Sequence, residues 1–250
     1  MIIAGRAGFG NSEKGIRDGE AFAAQTKGYV YTAERAMAAK REIEVKLRVS
    51  DVGKLVARLR RIGAKRTARV HEENTLFDTE DRQLGAKRAI LRIRRERDAD
   101  AGGSGQSEGK GRSKGTPIEG LLTFKGLVEG QTGVRARYKE REEIEFRLKD
   151  AERFAGVLRR IGMRPWFAYE KYRTKYRTKD PRFSIDLDET PIGVFLELEG
   201  PRRAIDRAAR ALGYSSDDYV TASYLELYKV ECSQKGSKVA NMVFPKKKKR

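Results

Sequence analysis

The chain of 250 residues predicts an α+β fold: about eight strands, mostly antiparallel, braced by external helices. Three observations carry that reading. Charged and apolar residues alternate at period two in segment after segment, the pattern of an extended chain whose successive side chains point to opposite faces. One unit, a charged-alternating strand followed by an amphipathic helix, occurs twice in clear form and once more weakly. Few helices separate the strands, so neighbours turn back on each other rather than crossing over in parallel.

Residues 1–36 are polar and Gly/Ala-rich without periodicity, and are expected to be a disordered N-terminal extension. The domain is expected over 37–230. It opens with "REIEVKLRV", where Glu42, Glu44 and Lys46 alternate with Ile43, Val45 and Leu47. Ser50 reads as a helix cap, and the helix behind it places Leu55, Leu59 and Ile62 on one face before Gly63 ends it. "NTLFDT" near residues 74–79 is a strand, as is "AILRIRRE", with Arg92 and Arg94 opposite Leu91 and Ile93. Residues 98–120 are Gly/Ser-rich and predict a mobile insertion loop; the spacing of a phosphate-binding loop is absent.

"LLTFKG" then carries Lys125, and "EIEFRLKDAERFAGVLRRIGM" from Glu143 repeats the first unit, with Asp150 as cap and Phe154, Leu158 and Ile161 on the helix. Ile43, Val45, Ile144 and Phe146 are expected to pack beneath the two helices. "AYEKYRTKY" sets Lys171, Arg173 and Lys175 against Glu170, Tyr172 and Thr174, and "FSIDLDE" offers Asp186 and Asp188. The weaker third copy, "FLELEGPRRAIDRAARALGY", has Pro201 at a helix start and Gly213 at its end. Residues 231–250 read as a basic C-terminal tail.

Lys and Arg number 55 against 36 Asp and Glu, a net charge of +19. Seven positives lie within 235–250, and removing them still leaves +12, so the body itself favours an anionic partner. Cys232 is the single cysteine, which excludes an internal disulfide and fits a reducing compartment. His71 is the single histidine, which excludes multi-histidine metal sites. Any divalent ion would sit on carboxylates, the preference of magnesium, manganese or calcium. No apolar run reaches the roughly 18 residues of a membrane span, and a soluble, cytoplasmic protein is expected.

An ionic strand face toward water is ordinary in an open antiparallel sheet. Here it recurs as three E-x-E pairs, Glu42/Glu44, Glu143/Glu145 and Glu197/Glu199, together with Lys46, Arg92, Arg94, Lys125, Arg141, Lys171 and Arg173. Eight strands closed into a barrel could turn these faces inward. Unpartnered, such a lining would cost several kcal/mol per ion; as a site it makes sense. Cations match the oxygens of a polyphosphate, and clustered carboxylates beside it call for a bridging divalent cation.

The segments "EIEVKL", "ENTLFDT", "LRIR", "LTFKG", "REEIEF", "EKYR", "IDLDE", "FLELEG" and "SYLEL" follow one another in an order that resembles the CYTH superfamily, the triphosphate tunnel metalloenzymes, over residues 41 to about 229. The superfamily includes class IV adenylyl cyclases, thiamine triphosphatases and inorganic triphosphatases. The resemblance implies an eight-stranded antiparallel tunnel that grips a triphosphate substrate (ATP, thiamine triphosphate or tripolyphosphate) with Lys46, Arg92, Arg94, Lys125, Arg141, Lys171 and Arg173. Of these, Lys46, Arg92, Arg94 and Lys125 take the catalytic role. Glu42, Glu44, Glu197 and Glu199 would hold Mg2+ or Mn2+, with Glu143 and Glu145 as further acidic lining. Because "EKYR" is followed by "TKYR", the register choosing Lys171 and Arg173 over Lys175 and Arg177 stays open. So does the choice between cyclisation to cyclic AMP with pyrophosphate and triphosphate hydrolysis. The competing class is a non-catalytic polyphosphate or RNA-binding module. Nucleic acid is disfavoured as a partner because aromatic stacking positions are few, no membrane partner is expected, and a homodimer is left open.

Overall fold

The computed structural model describes residues 39–100, 118–128 and 137–245. The expected extension 1–36, most of the insertion loop and the lysines from 246 onward lie outside the described residues. Eight strands, β1 (Lys40–Val49), β2 (Lys65–Asp78), β3 (Ile90–Asp98), β4 (Gly120–Gly126), β5 (Lys139–Leu148), β6 (Arg164–Arg177), β7 (Ser184–Thr190) and β8 (Gly193–Glu199), close into a barrel in the order β1-β5-β4-β3-β2-β6-β7-β8. Every neighbouring pair is antiparallel. The α+β expectation holds, and closure decides the ionic face. Glu42, Glu44 and Lys46 are buried inside the barrel, while Val45 and Leu47, on the opposite face of the same strand, are buried outside it.

Helices α1 (Val52–Arg61), α2 (Gln83–Ala86), α3 (Ala151–Arg160), α4 (Arg202–Ala211) and α5 (Tyr224–Gln234) surround the barrel. The two copies of the repeated unit start alike, with Asp51 accepting from Lys54 N at 2.8 Å and Asp150 from Arg153 N at 3.0 Å. The cap is thus Asp51 rather than Ser50, because Asp51 holds the extended backbone that lets its carboxylate reach the third residue ahead. Gly63 and Gly162 follow the helices at φ 78° and 91°, a left-handed conformation that side chains resist. Leu55 and Leu59 of α1 and Ile205 and Ala209 of α4 pack with Val45, Leu47, Leu196 and Leu198. Each fully buried leucine or isoleucine there is worth about 1.5–3 kcal/mol.

Two expected packing partners are not covered. α3 lies against β3 and β4, burying Ala151 and Leu158 on Phe77 and Ile93. Phe146 is 43% exposed because β5 runs past the end of β1, whose pairing stops at Lys40↔Glu143. Ile161 is the C-cap of α3 and is 69% exposed.

One end of the barrel is closed by α5 and the segments on either side of it. β5 covers β1 only as far as Glu44, and β7 covers β6 only from Tyr172, which leaves two half-edges of unpaired backbone. Val220 pairs with Lys46 on the first, and Met242 pairs with Tyr169 on the second. Filling these edges removes a template for pairing with other chains. Residues 231–245, read from the sequence as the start of a tail, are therefore built into the fold: α5 runs to Gln234, and Met242 is buried against Leu76, Phe167, Phe195 and Tyr224. The basic run after Pro245 lies outside the described residues.

Candidate active site

The inward faces of the strands border a cavity of about 1080 Å³. Lys46, Arg92, Arg94, Lys125, Lys171 and Arg173 all border it, as do Glu42, Glu44, Glu143, Glu145, Glu197 and Glu199. Arg141 does not: its guanidinium donates to the Glu140 carbonyl, and β5 contributes Lys139 to the cavity instead. The register question over the tandem basic pairs dissolves, because residues 171, 173, 175 and 177 share one strand face and all four border the cavity. Lys171 and Arg173 lie deep and buried, whereas the Lys175 and Arg177 side chains are 24% and 46% exposed.

The deep part is a basic cage built on Asp188, which is fully buried. It accepts from Lys171 at 2.7 Å, from Arg173 at 2.6 and 2.7 Å, and from the Tyr224 hydroxyl at 2.8 Å. Arg173 also bonds Glu197. Behind the cage, Glu72 is fully buried, 3.4 Å from Arg94, 3.5 Å from Lys171 and 3.6 Å from Arg173, with neither oxygen hydrogen-bonded. Burial works against its charge, yet Lys171, Arg94 and Arg173 hold its carboxyl well below the usual range. Arg92 bridges the Tyr169 hydroxyl at 3.2 Å and the Thr123 hydroxyl at 3.1 Å. Burial alone would raise Tyr169; Arg92, Lys171 and Arg94 overcome it and lower the phenol. Burial also opposes the charge of Lys46, but Glu44 and Glu197 outweigh it and raise the ammonium.

The shallower part gathers carboxylates. Glu42 accepts from Lys125 at 2.5 Å, and Glu143 lies 3.1 Å from the same ammonium. Glu44 accepts from Lys46 and Lys139, both at 2.7 Å. Glu199 faces Glu44 across the β1–β8 pair and takes Lys40 at 3.1 Å. Burial and then the negative charge of Glu44 raise Glu42, and burial and then Glu42 raise Glu199. Lys139 is lowered by burial and by the neighbouring ammonium groups of Lys46 and Lys125, against the pull of Glu44. Such a wall can neutralise a polyphosphate from one side and present oxygen ligands from the other.

Reading the sequence for charge alone passed over Glu72, Lys139, Tyr169, Asp188 and Tyr224 as site residues. Lys139 stands two positions before Arg141 on the same face, Glu72 stands immediately before the quoted "ENTLFDT" and shares the face of Asn74, and Asp188 lies within "IDLDE", so alternation could have found those three. Tyr224 comes from α5, and nothing local announces that its ring enters a barrel.

A family model of the CYTH domain matches residues 40–224. The chain belongs to the CYTH family. This CYTH chain is 28% identical over 196 residues to the Methanocaldococcus jannaschii protein named "Putative adenylate cyclase MJ0240", an alignment that covers 74% of the chain and 97% of that relative. Its barrel is similar to that of a Vibrio parahaemolyticus protein given the same description, with a TM-score of 0.60 at 17% identity over 76% of the chain and 99% of that structure. It is also similar to the PH1819 protein of Pyrococcus horikoshii, with a TM-score of 0.58 at 23% identity over 76% and 99%. These two structures speak for the fold of the CYTH chain. Among its described residues no helix is long and apolar enough to cross a membrane.

Proposed function

We propose that the tunnel binds a nucleotide or inorganic triphosphate and, with a divalent metal, catalyses its cyclisation or hydrolysis. One observation carries the reading: six cations, Lys46, Arg92, Lys171 and Arg173 buried and Arg94 and Lys125 half-buried, converge on one cavity. Five of them make ion pairs with carboxylates at 3.5 Å or closer, and Arg92 is held by hydroxyls. A triphosphate replaces those carboxylates with oxygens of higher charge and similar geometry. The domain limits expected from the sequence, 37–230 between an N-terminal extension and a basic tail, are kept with the C-terminal limit moved to residue 245.

Among the described residues no three acidic, histidine or cysteine groups already stand as a ready-made metal cage. The donors are nevertheless right in kind. Glu42 is buried and Glu199 half-buried, and burial first, then the neighbouring glutamates, push the protonation of both up, so the lysines do not fully offset the negative charge there. Glu42, Glu44, Glu143 and Glu199 are the groups we place on Mg2+ or Mn2+; of the other two glutamates expected from the sequence, Glu197 is bonded by Arg173 and Glu145 accepts from the Thr123 hydroxyl, and our reading keeps both as lining. When bound, the ion supplies charge neutralisation at the phosphates. Lys171, Arg173 and Arg94 orient the chain of phosphates, Lys46 and Lys125 stand between cage and carboxylates, and the closed end keeps bulk water from that side.

Whether the ribose 3′-hydroxyl or water attacks sets cyclase against triphosphatase. The name carried by the M. jannaschii relative puts ATP first. Incubation with ATP, GTP, thiamine triphosphate and tripolyphosphate, with magnesium or manganese and with chelator, reads the answer from products. Metal-dependent release of cyclic nucleotide and pyrophosphate identifies the lyase, and release of orthophosphate the hydrolase. Binding that survives chelation without any turnover would overturn the enzymatic reading.

A further inference from the structure

Outside the tunnel, charge is arranged by a different rule. α1 and α4 lie side by side: both pack on the same apolar cluster, and the Arg58 guanidinium donates to the Leu212 carbonyl at the end of α4. The outward residues are Lys54, Arg60 and Arg61 on α1 and Arg203, Arg207 and Arg210 on α4, all exposed. On α4 the three arginines fall at i, i+4 and i+7, a single stripe opposite the buried Ala204, Ile205 and Ala209.

Acids that would neutralise this face are missing or already committed. α1 contains none, and Asp206, the one acid of α4, takes both the Tyr138 and Tyr219 hydroxyls and lies 3.2 Å from Arg137. Asp180 feels Arg207 but is bonded by the Arg182 guanidinium. Among the described residues none of the six cations has a carboxylate within ion-pair distance. Some other arginines do: the exposed Arg41 and Arg202 share Glu140, and the exposed Arg97 and half-buried Arg95 share Glu73. The helix dipole accounts for Arg60, Arg61 and Arg210 in last turns, but not for Lys54, Arg203 and Arg207. Like charges at i and i+4 destabilise a helix, so the stripe works against its own element.

We propose that the outer face of α1 and α4 docks the phosphate backbone of double-stranded nucleic acid without reading its sequence. Cations about 5–6 Å apart along a helix present to a duplex the row of charges that its phosphates require. The face carries no exposed aromatic ring on which an unstacked base could lie. Its exposed large apolar group is Val52, at the far start of α1, which gives a bilayer no hydrophobic anchor. The proposal uses no tunnel residue and stands apart from the reading of the active site.

The test uses the full chain and three variants: Arg203→Ala/Arg207→Ala/Arg210→Ala, Arg60→Ala/Arg61→Ala, and removal of residues 246–250. Alanine is the best helix former, so the substituted helices should keep their fold, which a thermal melt checks. Anisotropy of short fluorescent duplexes of DNA and of RNA is followed between about 50 and 200 mM salt, with anionic vesicles as a parallel arm. The expected result is about tenfold or greater loss of duplex affinity for the α4 variant, a smaller loss for the α1 pair, and a salt slope lower by about one for each phosphate contact removed. Triphosphate turnover should be unchanged. The proposal is overturned if the native chain leaves both duplexes unbound at the lowest salt. It is equally overturned if both helix variants bind as the native chain does, if removing 246–250 alone abolishes binding, or if the substitutions release vesicles and spare duplexes. Loss of turnover in every protein, with duplex binding intact, would count against the enzymatic reading alone.

Discussion

Glu197 and Glu199 stand two residues apart on the same face of β8 and experience opposite surroundings. Glu197 lies in the deep cage, bonded by Arg173 and within 3.5 Å of Lys46; burial opposes its charge, but Arg173, Lys171 and Lys46 hold its carboxyl far below the usual range. Glu199 lies in the shallow part, where burial and Glu42 push it up and Lys40 only partly answers. The E-x-E pair is thus not one ligand pair but the boundary between two regions. The cage is a store of positive charge locked by internal acids; in the shallow wall Glu44, held low against burial by Lys139 and Lys46, is answered, while Glu42 and Glu199 keep negative charge that the bases there do not fully offset.

The largest effect that would break this comparison lies in the cage. Asp188→Ala removes the buried acid that holds Lys171, Arg173 and the Tyr224 hydroxyl. Stranding buried partners costs about 3–5 kcal/mol, and denaturant unfolding should lose that much stability. A loss within experimental error would mean the cage is not a locked unit.

In the shallow wall the expected loss is functional. Glu42→Gln with Glu199→Gln should lower turnover at ordinary magnesium by about 100-fold, with partial recovery at high manganese, because fewer anionic ligands weaken metal affinity. Glu197→Gln should leave the metal dependence of the rate unchanged while slowing turnover, since its charge serves Arg173. Titrating the rate against metal separates the two; identical metal curves for both variants would erase the boundary.

A smaller effect follows from pH. The folded pKa values of Glu42 and Glu199 are raised, so the native state favours their protonated forms, and the stability they contribute is lost as pH rises through those folded values. Glu197 is lowered, so its contribution persists until strongly acid conditions. In metal-free protein, Glu199→Gln should therefore gain stability relative to the native chain on going from acid toward neutral pH, and added magnesium should shrink the difference. Paired thermal melts across that range check it; a difference that does not vary with pH would remove the uncompensated charge from Glu199.

The smallest effect is on the barrel exterior. Ile161→Ser exchanges a largely exposed side chain at the end of α3 and should change stability by no more than about 0.5 kcal/mol. A loss several times larger would reveal a contact for Ile161 that the barrel does not supply.

Much of the wall was legible because strand alternation is strict. Once Glu42, Glu44 and Lys46 share a face, so do Arg92 with Arg94, Lys171 with Arg173, and Glu197 with Glu199. Alternation fixes which residues share a face, not where each side chain turns, and Arg141 shows the limit: Lys139 and Glu143 on either side of it border the cavity, while its guanidinium turns to the Glu140 carbonyl. Phe146 failed for a related reason, since an apolar residue on the outer face is buried only where a helix lies above it. Glu72 and Asp188 were hard to assign because a buried acid behind a cage and an acid at a ligand site look alike in one dimension.

By itself the sequence determined the period of each strand, the strand-helix unit that repeats, the caps within a residue, and the inventory of charges, because these depend on local geometry and composition. The tertiary structure decided what those charges mean. Barrel closure brought residues more than a hundred positions apart within ion-pair distance, such as Lys46 and Glu197 at 3.5 Å, and withdrew them from water. Only then does a carboxylate feel Arg173 or Glu42 more than solvent, and only then do two glutamates on one strand titrate in opposite directions.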